Sequence, residues 1–235
     1  MRIGVVGDIH LPFEHSEYLH FCSDTFEEWG VDHVHFAGDV VDAHAWSDYD
    51  HDPDGHSASR EAELAAAALG RWYERFPRAT VSIGNHDHRI YRAARRVGLP
   101  SQFVRSYADL WDTPGWDWQF THILDDVVLE HGSGSSGKDA AINRAIQLRS
   151  SCAIGHIHCH GGVKYHTNDF DRVFGLNAGC GVDCSAYAFE YGRAFPIRPT
   201  LGCGVILDGV QAYFEIMPCG PKEKYKKRKR TRKYA

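Results

Sequence analysis

The chain has 235 residues, 43% hydrophobic and 24% charged, which suits one sizeable globular domain and leaves little room for two. No apolar run approaches the ~20 residues that cross a bilayer, which excludes a helical membrane protein. The seven cysteines, odd in number and without a CxxC pair, argue against a disulfide framework. Met1–Val6 runs straight into a strand-like segment with no signal-peptide pattern, so a cytoplasmic protein with reduced thiols is expected. Cys180 and Cys184 have no partner pair at zinc-finger spacing. The net charge of −5 is unevenly divided: residues 219–235 hold nine Lys/Arg and one Glu, a net of +8, which leaves −13 for residues 1–218. So acidic a body makes a poor general clamp for nucleic acid, although bound divalent cations would offset part of the charge. Sixteen histidines are many for this length, and imidazole is a common ligand for transition metals.

In chain order, Ile3–Val6 is a β-branched apolar run that reads as a buried strand ending at Gly7. His15–Trp29 has helical apolar spacing and stops at Gly30. His33–Ala37 reads as a second strand, followed by an acidic, His-rich loop from Ala43 to His56. Glu61–Phe76 is expected to be helical, Thr80–Ile83 a third strand, and Arg89–Val97 a basic helix ended by Gly98 and Pro100. Trp116–Phe120, Val127–Glu130 and Cys152–Ile154 read as strands, and Ala140–Leu148 as a helix. From Val163 the pattern is short strands and glycine turns, closing with Gly204–Leu207 and Gln211–Ile216 around an Asp208-Gly209 hairpin turn. Strand–helix alternation followed by mostly strand implies a layered α/β or α+β sandwich. Residues 1–218 are expected to form the domain and residues 219–235 a flexible basic tail. Such a tail is either a solvated terminus or a tether to a polyanion.

Five segments place a polar ligand directly after an expected strand: Gly7-Asp8-Ile9-His10, Gly38-Asp39-Val40-Val41-Asp42, Gly84-Asn85-His86-Asp87, Glu130-His131-Gly132 and Gly155-His156-Ile157-His158. Ligands collect at the carboxyl ends of strands in open α/β sheets, so these five ends can converge. Mixed carboxylate, imidazole and amide donors suit Mn, Fe, Zn or similar ions, whereas a thiolate set would favour structural zinc.

The order and wording of the five blocks, covering residues 7 to 158, resemble the calcineurin-like metallophosphoesterase superfamily. The resemblance implies a four-layered αββα sandwich and two divalent metal ions, with Mn expected and Fe, Zn, Ni or Mg as alternatives. It implies Asp8, His10 and His158 on the first ion, Asn85, His131 and His156 on the second, and Asp39 bridging both. His86 would act beside the metals as general acid or transition-state stabiliser. Asp87 is expected to orient His86, as a carboxylate partner fixes an imidazole. The chemistry implied is attack of a metal-activated water on phosphorus.

Weaker signals surround this set. Gly132–Asp139 almost spells a P-loop, but Asp139 stands where a magnesium-binding hydroxyl belongs. A milder reading has Lys138 and the loop amides facing a substrate phosphate. Arg193 and Arg198 are candidate phosphate clamps. Trp46 and Tyr49 are candidate base-stacking residues near His44, His51 and His56. His160 and His166 could touch substrate, and the helix with Arg89, Arg92, Arg95 and Arg96 could guide a phosphodiester backbone toward the metals. Each has a plain surface role as its alternative.

Leu11 after His10 and Asp87 after His86 depart from the protein-phosphatase wording GDxHG and GNHE, and are closer to the phosphodiesterase and repair-nuclease branches. The expected function is hydrolysis of a phosphodiester, in nucleic acid, with the tail aiding capture. Alternatives are a small-molecule or cyclic-nucleotide phosphodiesterase, a phosphomonoesterase or protein phosphatase, or a nucleic-acid-binding accessory subunit with an idle site. Pairing of exposed strands leaves a homo-oligomer open.

Overall fold

The computed structural model describes residues 1–47, 55–183 and 198–218. Tyr49, His51, Cys184, Arg193 and the basic tail, residues 219–235, lie outside the described residues.

Strands β1 (Arg2–Val6), β2 (His33–Phe36), β3 (Ala79–Ser82) and β4 (Trp116–Gln119) run parallel. The hairpin of β10 (Gly202–Leu207) and β11 (Gln211–Ile216) extends the sheet antiparallel beyond β1, giving the order β11-β10-β1-β2-β3-β4. A second sheet contains β5 (Thr121–Leu124), β6 (Val127–Glu130), β7 (Cys152–Ile154), β8 (Gly161–Thr167) and β9 (Arg172–Ala178) in the order β5-β6-β7-β9-β8. Its centre, β6-β7-β9, is parallel, and both of its outer strands are antiparallel to their neighbours.

Alternation along β1 shows how the layers form. Ile3 and Val5 pack between the sheets with Leu129, Phe174 and Leu176. Val6 points the other way, into a core built with helices α1 (Tyr18–Trp29) and α2 (Ala58–Arg75). This side holds the largest buried side chains, Trp72, Tyr18 and Phe36. Truncating a buried aromatic of this kind to alanine typically costs ~3–5 kcal/mol. On the far side, Ala140, Ala141 and Ala145 of α5 (Ala140–Leu148) sit against Val128, Cys152 and Ile154. The result is the four-layered αββα sandwich expected. No described helix is long and apolar enough to cross a membrane.

Among the described residues, helix α1 begins at Tyr18 and not at His15, and three further elements differ from expectation. Helix α2 begins at Ala58, ahead of Glu61, because the Ser57 hydroxyl accepts the Arg60 amide as an N-cap. Between α3 (Arg89–Arg96) and β4, a short helix α4 (Tyr107–Leu110) is capped in the same way by Ser106. Strand β5 was not expected, since its burial runs against hydropathy: His122 is buried while Ile123 is 68% exposed. His122 is accommodated because its Nε2 lies 3.1 Å from the Val81 carbonyl of β3.

A small polar layer joins the sheets nearby. His35 Nδ1 is 2.9 Å from Thr80 Oγ1 and its Nε2 is 3.2 Å from Ser82 Oγ. The Ser82 hydroxyl donates to the Leu129 carbonyl of the second sheet at 3.1 Å. His33 Nε2 shares Thr80 Oγ1 at 3.0 Å.

Candidate metal centre

The ends of β1, β2, β3, β6 and β7 bring Asp8, Asp39, Asn85, His131 and His156 to one side of the sandwich, joined by His10, His86 and His158. Part of the backbone there is strained. His10, Asp39 and His156 hold left-handed backbones, with φ of 54°, 46° and 67°, a conformation that costs non-glycine residues about 1–3 kcal/mol each. The neighbouring glycines are required sterically. A Cβ on Gly84 would collide with the Asp39 carboxylate, and one on Gly155 with that of Asp8.

The ligand atoms form two groups. In the first, Asp8 Oδ2 and His10 Nε2 lie 2.8 and 3.1 Å from His158 Nε2. In the second, His131 Nε2 has Asp39 Oδ2 and Asn85 Oδ1 at 3.1 Å and His156 Nδ1 at 3.2 Å. Asp8-His10-His158 and Asp39-His131-His156 each place their donor atoms within 4.8 Å of one another, and so does a third set, His10-Asp39-His86. Asp39 Oδ2 lies 3.7 Å from His10 Nε2 as well, so it stands between the two groups.

Whether these residues fit a cation is decided by the opposite ends of their rings. His131 Nδ1 donates to the Ala37 carbonyl at 2.9 Å, and His10 Nδ1 lies 2.7 Å from Asp42 Oδ1. Each partner fixes the tautomer that leaves an Nε2 lone pair facing the centre, the arrangement typical of metal-ligating histidines. Asp8 and Asp39 are buried to 0% and 1% exposure, amid histidines and backbone amides. Burial pushes the His131 imidazolium down, yet Asp39 and Asp8 outweigh it and hold its pKa up at about 10. A proton is therefore held where a metal cation would satisfy the same donors. The donor set fits.

Asp42 and Arg89 complete the centre; from the sequence Asp42 has no assigned role and Arg89 is expected on a basic guiding face. The Asp42 carboxylate serves both His10 and His86, with Oδ1 3.1 Å from His86 Nδ1. That nitrogen also donates to the Asp42 carbonyl at 2.9 Å. Arg89, one helical turn beyond His86, is 8% exposed; its Nη2 lies 3.1 Å from His86 Nε2 and its Nη1 donates to the Asp42 carbonyl. Burial pushes the His86 pKa down, but Asp39 and Asp42 raise it more than burial and Arg89 lower it.

Several expectations need correction. Asp87 does not orient His86. Its carboxylate accepts the Val41 and Gly84 amides at 3.0 and 2.9 Å, pinning two loops together. Burial, reinforced by Asp39, pushes its pKa up to about 7. Arg89 is inside the centre and not on a guiding face, although Arg92, Arg95 and Arg96 are exposed. Trp46 packs partly against the helix-side core, and Glu61 holds the turn around it by accepting the His44 and Ala45 amides. Lys138 is exposed and acts on its neighbour Asp139, whose carboxylate pairs with Lys164 and is lowered chiefly by it. Lys164 thus engages the Asp139 end of the Gly132–Asp139 loop. His166 is exposed on the outer strand β8.

A model of the family "Calcineurin-like phosphoesterase" matches residues 1–177. The chain belongs to that family. Among solved structures, this calcineurin-like phosphoesterase is similar to a metallophosphoesterase from Sphaerobacter thermophilus, with 18% identity, a TM-score of 0.43, and 92% and 87% of the two chains covered. It is similar to Yfce, a phosphoesterase from E. coli, with 13% identity, a TM-score of 0.38 and 87% of each chain covered. Wild-type Vps29 from Entamoeba histolytica, complexed with zinc, is 13% identical with a TM-score of 0.43 over 90% and 89% of the chains. No match was found among curated protein sequences.

Proposed function

We propose that this calcineurin-like phosphoesterase is a two-metal phosphodiesterase acting on nucleic acid. The observation that carries the reading is the paired donor groups around Asp39, with the Nε2 atoms of His10 and His131 both turned inward by partners behind them. Asp8, His10 and His158 would hold one ion, Asn85, His131 and His156 the other, and Asp39 would bridge them. Two divalent ions so held, manganese first among the candidates, would supply Lewis-acid charge to the phosphoryl oxygens and generate the nucleophile from water.

His86 would protonate the departing oxygen. Its Nδ1–H is anchored on Asp42, so its Nε2 edge stays toward Asp39 and Arg89. Asp39 and Asp42 strengthen its hold on a proton at that edge, and Arg89, a donor only, opposes it. Support for a nucleic-acid substrate comes from α3, which starts beside His86–His88 and carries exposed Arg92, Arg95 and Arg96. Arg92 reaches the Asn85 carbonyl at 3.5 Å, so this basic face borders the centre. The nine Lys/Arg of residues 219–235 add a further attraction for polyanions.

The test is turnover of bis-4-nitrophenyl phosphate after loading with manganese, followed by a panel of single- and double-stranded DNA, RNA, cyclic nucleotides and phosphopeptides. Metal-dependent turnover that collapses in Asp39→Asn and His86→Ala is expected, with nucleic acid the best of the panel. Activity untouched by both substitutions would refute the site, and preference for phosphopeptides would refute the substrate class. Truncation after Met217 should flatten the salt dependence of nucleic-acid binding.

A further inference from the structure

Beside His131 the surface opens into a cleft of about 360 Å³, whose walls include Ile83, Phe120, Glu130, Ser133, Ser135 and Arg144. That volume lies within the range of small-molecule sites, roughly 300–1,000 Å³. His131 lines the cleft and also belongs to the second donor group, so the cleft adjoins the candidate metal centre.

Two features give the cleft its chemistry. Phe120 is 59% exposed at the end of β4, yet it is not loose. His88 meets it edge-to-face at 5.4 Å and stacks in turn on Tyr91 at 5.7 Å, Tyr91 on Tyr107 at 4.3 Å, and Tyr107 on Trp118 at 5.4 Å. The Tyr107 hydroxyl lies 2.7 Å from His88 Nδ1 and locks this tier. The tier is tied to the centre as well, because His88 follows Asn85 and His86 in one turn. Opposite in character, Glu130 and Arg144 form a forked ion pair, with N–O distances of 2.5 and 3.1 Å. An ordered aromatic ring and a polar edge in one cleft match a flat, hydrogen-bonding heterocycle.

Building on the phosphodiesterase reading, we propose that this cleft is a nucleobase subsite. The base flanking the scissile phosphate stacks on Phe120, with its polar edge toward Glu130–Arg144 and the serine-lined loop. A paired base cannot leave its stack to enter such a cleft without an unstacking cost, so the substrate class is single-stranded nucleic acid or a free nucleotide diester.

The experiment compares kcat/KM for thymidine 5′-(4-nitrophenyl) phosphate with that for methyl 4-nitrophenyl phosphate, which release the same leaving group. The wild type should favour the nucleoside ester. Phe120→Ala should reduce that ratio roughly tenfold, the scale of one base–aromatic stack, and Phe120→Trp should restore it. Phe170→Ala, at a residue 97% exposed between β8 and β9, serves as the control and should leave the ratio unaltered. A ratio unchanged in Phe120→Ala, with both esters still hydrolysed, overturns the subsite and spares the phosphodiesterase reading. Hydrolysis of neither ester by the metal-loaded wild type overturns that reading instead. Calorimetric binding of thymidine 5′-monophosphate then decides the subsite, which stands if Phe120→Ala weakens binding about tenfold and falls if it does not.

Discussion

His131 and His35 are both buried in the same sandwich, at 2% and 0% exposure, and their proton affinities move in opposite directions. Around His131 stand Asp39 and Asp8, and its pKa is held up at about 10 despite burial. Around His35 stand two hydroxyls, Thr80 and Ser82, and burial with nearby His122 and His33 holds its pKa well below the ordinary value of 6.5. Burial alone gives a neutral, structural imidazole. Buried carboxylates convert the same side chain into part of a site that calls for a cation. These two buried histidines therefore differ by their partners.

The largest expected effect follows from removing one of those carboxylates. Asp39→Asn should lower metal-dependent diester turnover by ~10³-fold or more, since one carboxylate serves both donor groups. Steady-state kinetics at saturating manganese measures it. An effect under tenfold would show that the two groups do not act as one centre. Chelation sharpens the contrast through stability. Stripping metal should lower the melting temperature, and readdition at about 100 times Kd should return ~2.7 kcal/mol. Asp39→Asn should abolish the shift, whereas substitution of Ser82, on the hydroxyl side, should preserve it.

Next come two carboxylates that the chain places close together and uses differently. Asp42→Asn should lower turnover ~10–100-fold and alter its pH profile, because Asp42 positions both His10 and His86. Asp87→Asn should chiefly destabilise, by ~1–3 kcal/mol, as its carboxylate holds the buried Val41 and Gly84 amides. Kinetics and denaturant melts on both variants separate the roles. Equal kinetic losses would return Asp87 to the site.

This pair also shows what the sequence makes legible. The five blocks announce their candidate ligands because a strand end, a glycine and a donor are local features. Gly84 and Gly155 are required by collisions with Asp39 and Asp8. Side-chain direction is not local. Asp87 adjoins His86 in the chain, but consecutive residues of a helical turn point apart. Asp42 reaches His86 from another strand end, across a backbone set by left-handed Asp39 and Ala43. Arg89 reads as one of a row of surface arginines until the turn from His86 is built. In the same way, β5 hides because His122 finds a carbonyl inside the sandwich while Ile123 faces out. A layered α/β or α+β sandwich was legible in the strand–helix alternation, while the four-layered αββα arrangement was implied by the family resemblance.

The smallest predicted effect tests the structural side of the comparison. His35 has a folded-state pKa below its unfolded value, so below pH 6.5 the unfolded chain binds a proton that the folded chain refuses. Stability is thus complete above about pH 6.5 and falls as the pH drops toward the folded pKa, by at most ~1.4 kcal/mol per pH unit. Denaturant melts of the metal-free protein between pH 7 and 5 would report the slope. His35→Gln, which keeps a polar group beside Thr80 and Ser82 but cannot be protonated, should flatten it whatever it costs in absolute stability. If the slope survives that substitution undiminished, the acid sensitivity originates in other histidines whose pKa is lowered, such as His10 and His156 of the candidate metal centre. Burial without charge partners would then not be what distinguishes the inter-sheet layer from the metal centre.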